Sequence, residues 1–121
     1  MNVTHTIHGK ILVITPEEKM LDVNNASLFK ESVLELIETS RLSPVVLDLH
    51  HLQFIDSSGF GTFLSIQRTL NFQNGILKLC HLNPPIHTMF KLYLCIAFLI
   101  SLKHQMKLFN LFKLINRGSY V

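Results

Sequence analysis

The spacing of apolar residues along the chain predicts short strands that alternate with helices. Two stretches, Val3 to Ile7 and Lys10 to Thr15, predict a hairpin around a His8-Gly9 turn. Pro16 is expected to end the second strand. A helix should follow, because apolar residues recur there at a spacing that places them on one face: Phe29, Val33, Leu36 and Ile37. It is expected to end near residues 40–44. The candidate residues for its amino-terminal cap are Asn24, Asn25 and Ser27.

The middle of the chain has the pattern of a covered parallel sheet. Residues 45–49 are apolar and partly β-branched, which suits a strand packed on both faces. A helix is predicted from 57 to about 72, then an Asn74-Gly75 turn and a strand at 76–80. The pair Pro84-Pro85 predicts the start of a further helix that runs through Tyr93. This alternation favours an α/β sheet with helices packed against it.

Two more elements are predicted towards the carboxyl end. Residues Ala97 to Leu102 suggest a last strand. Residues Lys103 to Ile115 suggest a final helix with an apolar side formed by Leu108, Leu111, Phe112 and Ile115. The basic side chains Lys103, Lys107 and Lys113 surround that apolar side.

The junction before the second helix is the most informative feature of the chain. It consists of Asp56-Ser57-Ser58-Gly59-Phe60-Gly61, in which the aspartate is expected to cap the helix. Ser57 and Ser58 should then lie beside the positive end of the helix dipole, where a phosphate is well tolerated. The same residues also form an ordinary structural cap, so the motif alone leaves both interpretations open.

Length and composition predict one globular domain. The chain has 121 residues, with 48% hydrophobic and 16% charged residues, which argues against disorder. We therefore expect residues 1–121 to form a single domain. All eight acidic residues lie at or before Asp56, whereas 57–121 carry seven Lys or Arg residues. This asymmetry suits contact with nucleic acid, anionic lipid or an acidic protein, and equally suits lysines that solvate an apolar surface.

The cysteines and the amino terminus favour a protein of the reducing cytoplasm. Cys80 and Cys95 lie in apolar surroundings and are expected to be buried thiols. The amino terminus lacks the pattern of a secretory signal. The most apolar stretch, Leu92 to Leu102, is shorter than the roughly 20 residues of a membrane-spanning helix.

The residues do not favour an enzyme, a cofactor or a metal site. The seven histidines are scattered, without metal-ligand spacing to the cysteines. Ser57, His81 and Asp56 would supply the groups of a hydrolase triad, but the Gly-x-Ser-x-Gly turn is missing. Gly59 and Gly61 lack the rest of a nucleotide-binding fingerprint. No DNA-binding or RNA-binding signature is present, so direct contact with nucleic acid is not expected.

The order of elements resembles the STAS domain of bacterial anti-sigma factor antagonists. Three segments carry the resemblance: Val45-Val46-Leu47-Asp48-Leu49, Phe54-Ile55-Asp56-Ser57-Ser58-Gly59-Phe60-Gly61, and the Asn74-Gly75 turn before Leu77-Lys78-Leu79. The resemblance is clearest over residues 3–93 and leaves an atypical carboxyl end at 94–121. It implies a single STAS-like α/β domain with a mixed, mostly parallel sheet of four to five strands and helices packed against it.

The resemblance also implies a function and a site. In that family, a serine kinase that is also the anti-sigma factor phosphorylates a serine at this helix start. The unphosphorylated domain binds that kinase and so releases a sigma factor for transcription. Ser57 matches the phosphorylated serine, Ser58 is the reserve candidate, and a phosphatase acting on phospho-Ser57 is a further candidate partner. The expected partner-binding residues are Asp22, Asp56, Ser57, Ser58, Gly59 and Phe60.

Two departures from the family keep an alternative open. In Lys19-Met20-Leu21-Asp22 only the last two residues match the family pattern, and the Thr/Ser-Gly-Leu step expected after the third helix is absent between Phe90 and Leu102. The alternative is a non-catalytic STAS accessory subunit of a membrane lipid-transport ATPase, with the basic carboxyl half near anionic lipid or an acidic subunit. Membrane association through 103–115 is compatible with this alternative but is not favoured over packing against the core.

Overall fold

The computed structural model describes residues 2–101, which form six strands and three helices. In chain order these are β1 Val3–His8, β2 Ile11–Pro16, β3 Met20–Leu21, α1 Ala26–Ser40, β4 Val45–Asp48, β5 Phe54–Ile55, α2 Ser57–Phe72, β6 Leu77–Cys80 and α3 Pro84–Ser101. The predicted α/β class is confirmed. The predicted helix at 103–115 lies outside the described residues.

The main sheet is mixed and mostly parallel, as predicted. Its four strands have the order β1-β2-β4-β6. Strands β1 and β2 are antiparallel, whereas β4 is parallel to both β2 and β6. His8 is paired with Ile11, so the hairpin turn is Gly9-Lys10 and not His8-Gly9. Gly9 has a φ of 65°, a conformation that glycine adopts without steric cost.

The hydrophobic core lies between the sheet and the helices. Strand β4 lies inside the sheet between β2 and β6, and its Val45 and Leu47 are completely buried, which explains its almost wholly apolar sequence. Three buried phenylalanines from the three helices meet on this sheet. The Phe29 and Phe63 rings lie 5.5 Å apart, and those of Phe63 and Phe90 lie 5.1 Å apart. These contacts fix α2, and with it the serine-bearing junction, against its neighbours.

A second, two-stranded sheet was missed by the sequence analysis. Strand β3 pairs in parallel with β5, so that Met20 lies beside Phe54 and Leu21 beside Ile55. Each strand has two residues, too few to produce a recognisable alternation of apolar and polar positions. This small sheet matters for function because it brings the segment before α1 to the start of α2.

Helix α1 begins at Ala26, and Asn25 occupies its cap position. The Asn25 side chain does not cap the helix. Its Oδ1 atom accepts a hydrogen bond of 2.9 Å from the amide of Asp22, and its Nδ2 atom donates to the carbonyl of Met20. Asn25 therefore braces the turn between β3 and α1.

Two predictions about the carboxyl end are wrong within the described residues. The strand expected at 97–102 is absent over 97–101, because α3 continues to Ser101. Ile86, Phe90 and Leu94 recur every four residues and are buried, so the helical pattern extends past Tyr93 without a glycine or proline to stop it. Cys95 is exposed, not buried, because it follows Leu94 on a different face of this helix.

Candidate functional site

The start of α2 is built by the Asp56 side chain, as predicted. Its Oδ1 atom accepts a hydrogen bond of 2.8 Å from the amide of Gly59. Its Oδ2 atom accepts one of 3.1 Å from the amide of Val23. The first bond caps the helix, and the second ties the helix start to the turn between β3 and α1. One carboxylate thus holds together two segments that are 33 residues apart in sequence.

The two candidate serines are the first residues of α2, and both are exposed. Because the dipole of a helix is positive at its amino terminus, this position favours an anion over a cation. The structure therefore places two modifiable hydroxyls on the surface at a point where added negative charge does not oppose the helix.

The other predicted partner-binding residues divide into surface and interior groups. Asp22 and Asp56 are half-buried, and Asp22 accepts a hydrogen bond of 2.9 Å at Oδ1 from the amide of Asn24. Gly59 and Phe60 are buried. The Phe60 ring packs 5.4 Å from the rings of Phe90 and Tyr93. Gly59 and Phe60 therefore pack within the domain and help to position the helix start, and their contact with a partner stays a prediction.

Position 59 requires a glycine because the backbone of Leu21 lies too close to leave room for a Cβ atom. A Cβ atom at this position would meet the carbonyl oxygen of Leu21 and lie 2.9 Å from Cγ1 of Ile55. Gly61, two residues later, has open space around the equivalent position. The two glycines of the motif therefore have different roles, and only Gly59 is needed for packing.

Sequence reasoning missed a groove beside Ser58. The groove has a volume of about 270 Å³ and lies between the amino-terminal halves of α1 and α2. Its lining residues are Val23, Ala26, Ser27, Lys30, Ser58, Gly61, Thr62 and Ser65. Val23 is 71% exposed and is an apolar residue between the polar residues Asp22 and Asn24. That apolar residue within a polar turn was the available sequence signal.

A second polar cluster lies at the carboxyl ends of β4 and β6. Asp48 Oδ1 lies 2.9 Å from Nδ1 of His50 and 3.0 Å from Nδ1 of His81. Burial of the Asp48 carboxyl would raise its pKa, but the hydrogen bonds from His50 and His81 together with the charge of His50 outweigh burial and lower that pKa. His81 thus pairs with Asp48, while the Asp56 carboxylate bonds to backbone amides, so His81 and Asp56 are not joined as a hydrolase triad requires.

Asp56→Ala is expected to destabilise the fold by about 1–2 kcal/mol, because it removes a helix cap and leaves the Val23 amide without its carboxylate partner. Asp56→Asn is the matched variant, since its single side-chain oxygen can still cap the helix but its amide cannot accept from Val23. We expect Asn to recover part of the loss in urea denaturation. Equal losses for Ala and Asn would contradict the contribution of the cap.

Comparison with known proteins identifies the family. A family model described as the STAS domain matches residues 2–113. The anti-sigma F factor antagonist of Paenibacillus polymyxa is 31% identical over 80 residues, which cover 66% of this chain and 68% of that protein. The chain belongs to the STAS domain family. The resemblance inferred from the motifs is therefore confirmed.

Solved structures share the fold at lower identity. The anti-sigma factor antagonist SpoIIAA in its unphosphorylated form is 21% identical, with a TM-score of 0.59 and coverage of 74% of this chain and 82% of that chain. The phosphorylated form of Bacillus SpoIIAA gives 21% identity, a TM-score of 0.58 and coverage of 75% and 82%. The murine anion transporter Slc26a9 is 15% identical with a TM-score of 0.62, over 68% of this chain but 13% of the transporter. Within residues 2–101, no helix has both the length and the hydropathy needed to cross a membrane.

Proposed function

We propose that this chain is an anti-sigma factor antagonist that works in the cytoplasm as a binding module and not as an enzyme. In its unphosphorylated form it binds an anti-sigma factor, which is also a serine kinase, and so releases a sigma factor. The name and 31% identity of the Paenibacillus polymyxa relative support this proposal. The observation that carries it is the exposed Ser57 hydroxyl directly after the Asp56 cap.

Ser57 is the proposed site of phosphorylation. Both Asp56 carboxylate oxygens are engaged by the amides of Gly59 and Val23, so the helix start does not depend on the Ser57 hydroxyl. A phosphate there would add about −1.5 to −2 charge at the positive end of α2. The modification would therefore alter the docking surface while leaving the fold intact. A phosphatase would restore the binding form.

The proposed docking surface combines the serine hydroxyls with exposed apolar side chains. Met20 and Phe54 are neighbours in the small sheet and are 49% and 40% exposed. Phe54 lies three residues before Ser57, and the amide of the exposed Val23 bonds to Asp56. A partner surface that covers these apolar groups would gain from their burial and would enclose the hydroxyl of Ser57.

The accessory-subunit alternative has no comparable support among the described residues. The basic helix predicted at 103–115, on which a contact with lipid or an acidic subunit would depend, lies outside them. We therefore favour the role of anti-sigma factor antagonist over that of an accessory subunit.

A pull-down from lysate of the source organism tests the proposal. The baits are the wild-type chain, Ser57→Ala and Ser57→Asp, and retained proteins and phosphopeptides are identified by mass spectrometry. We expect wild type and Ser57→Ala to retain a serine kinase of the anti-sigma type, Ser57→Asp to lose it, and phosphate to be found on Ser57. Phosphate on Ser58 alone would move the site by one residue.

The result that would overturn the proposal is recovery of the subunits of a transport ATPase by all three baits, with neither serine phosphorylated. That outcome would favour the accessory-subunit alternative.

A further inference from the structure

The cluster at the carboxyl ends of β4 and β6 brings together three side chains of the kinds that bind metal ions. One ligand atom each from Asp48, Cys80 and His81 lies within 4.8 Å of the others. These donors are a carboxylate oxygen, a thiol sulfur and an imidazole nitrogen, the three ligand types that zinc takes in proteins. We propose that Asp48, Cys80 and His81 form a binding site for one divalent transition-metal ion of the zinc type.

The distance between the Asp48 and His81 donor atoms is close to the one that such an ion requires, and the ligand atom of Cys80 lies within 4.8 Å of the other two. With metal–ligand bonds of about 2.0–2.3 Å, neighbouring ligands of a tetrahedral ion lie about 3.3–3.8 Å apart. Asp48 Oδ1 and His81 Nδ1 are 3.0 Å apart, so the ion would replace their hydrogen bond and separate them by a few tenths of an ångström. The side chain of His81 is 55% exposed and can make this adjustment.

The backbone holds two of the three ligands in fixed positions. Asp48 and Cys80 end the adjacent parallel strands β4 and β6, where they are register partners. His81 follows with a φ of 55°, a left-handed conformation that histidine adopts more readily than most residues. This conformation allows consecutive residues, Cys80 and His81, to present their donor atoms to the same point.

His50 is a positioning residue for the site and not one of the three ligands. Its Nδ1 atom lies 2.9 Å from Asp48 Oδ1, the kind of hydrogen bond that orients a metal-binding carboxylate. The segment that carries His50 is fixed in turn, because Asn83 Nδ2 donates to the carbonyls of His50 and Leu52 at 3.0 and 2.8 Å. Three protein ligands leave a fourth position for water or for a group from a partner.

Asp48 is connected to the cap of α2 at Asp56 by residues 49–55, which include strand β5. Metal binding would release the proton of the Cys80 thiol to solvent, because the thiolate is the metal ligand. The proposal does not depend on the identity of the anti-sigma partner.

Cobalt titration of the reduced, full-length chain tests the site. Co²⁺ replaces Zn²⁺ in such sites, and a cobalt–thiolate bond produces a charge-transfer band in the near ultraviolet. We expect one Co²⁺ per chain with this band, and displacement of the cobalt by Zn²⁺. Cys80→Ser should abolish the band, whereas Cys95→Ser, which changes the exposed cysteine of α3, should retain it.

Further variants separate the ligands from the positioning residue. His81→Ala and Asp48→Asn should each raise the dissociation constant of Zn²⁺ at least tenfold, and His50→Ala should raise it by a smaller factor. His5→Ala, at an exposed histidine of β1, should have no effect. If Cys80→Ser fails to fold, the exposed His81 still provides the test, since wild type should gain thermal stability with Zn²⁺ and His81→Ala should not.

Absence of the charge-transfer band in wild type would overturn the proposal. Loss of the band in Cys95→Ser but not in Cys80→Ser would do the same. Either result would leave Asp48, His50 and His81 as a hydrogen-bonded network without a metal.

Discussion

Gly59→Ala will destabilise this domain by about 3 kcal/mol, at the upper end of the usual cost of overpacking. The added methyl group would overlap the carbonyl oxygen of Leu21 and press on Cγ1 of Ile55. Leu21 lies in β3, and its carbonyl accepts a hydrogen bond of 3.2 Å from the amide of Asp56. The clash is therefore with backbone that is held on both sides and cannot move away as a flexible side chain would.

Gly61→Ala is the matched control, because it makes the same chemical change two residues later in the same helix. Apart from the adjacent residues and the backbone of its own helix, nothing lies within 4 Å of a Cβ built at Gly61. Alanine is favoured over glycine in a helix, so this variant should gain about 0.5–1 kcal/mol. Urea denaturation followed by circular dichroism gives both values. Similar stabilities for the two variants would contradict the close contact between Gly59 in α2 and the Leu21 carbonyl in β3.

The contact between Gly59 and Leu21 separates the features of the site that could be predicted from the sequence from those that could not. The Asp56 cap, the exposed serines and the start of α2 follow from local preferences, because a capping aspartate and the residues it serves are adjacent in sequence. The contact with Leu21 and the hydrogen bond to Val23 could not be predicted in this way. They depend on the two-residue strands β3 and β5, which pair across the fold and have no periodic pattern of their own.

The Asp48 cluster illustrates the same limit. His81 is 33 residues from Asp48, so no local ligand spacing connects them. Their meeting follows from the parallel pairing of β4 with β6, a topology that the alternation of strands and helices predicts in outline but without the register. At the carboxyl end, the apolar run was too uniform to distinguish a strand from a continued helix. The structure has a helix there, with Ile86, Phe90 and Leu94 buried on one face.

Ser57→Asp will weaken binding of the anti-sigma factor recovered with the wild-type chain by more than a hundredfold, a loss of about 3 kcal/mol of binding free energy. The physical reason is that a partner surface fitted to a small hydroxyl would have to enclose a larger, charged group without a cation to pair with it. The stability of the fold should be nearly unchanged by this substitution. An acidic side chain in the first turn of a helix is neutral to mildly stabilising, so the melting temperature should change by no more than about 4 °C.

Ser57→Asn distinguishes charge from size, since asparagine has the shape of aspartate without its charge. Affinities measured by isothermal titration calorimetry should fall in the order Ser57→Ala, Ser57→Asn, Ser57→Asp if charge dominates, whereas equal losses for Asn and Asp would assign the effect to size. A large fall in the melting temperature of Ser57→Asp would contradict the switch, because it would make Ser57 part of the structural cap. The present geometry argues against that result, since the capping bond to the Gly59 amide comes from Asp56 and not from the serine.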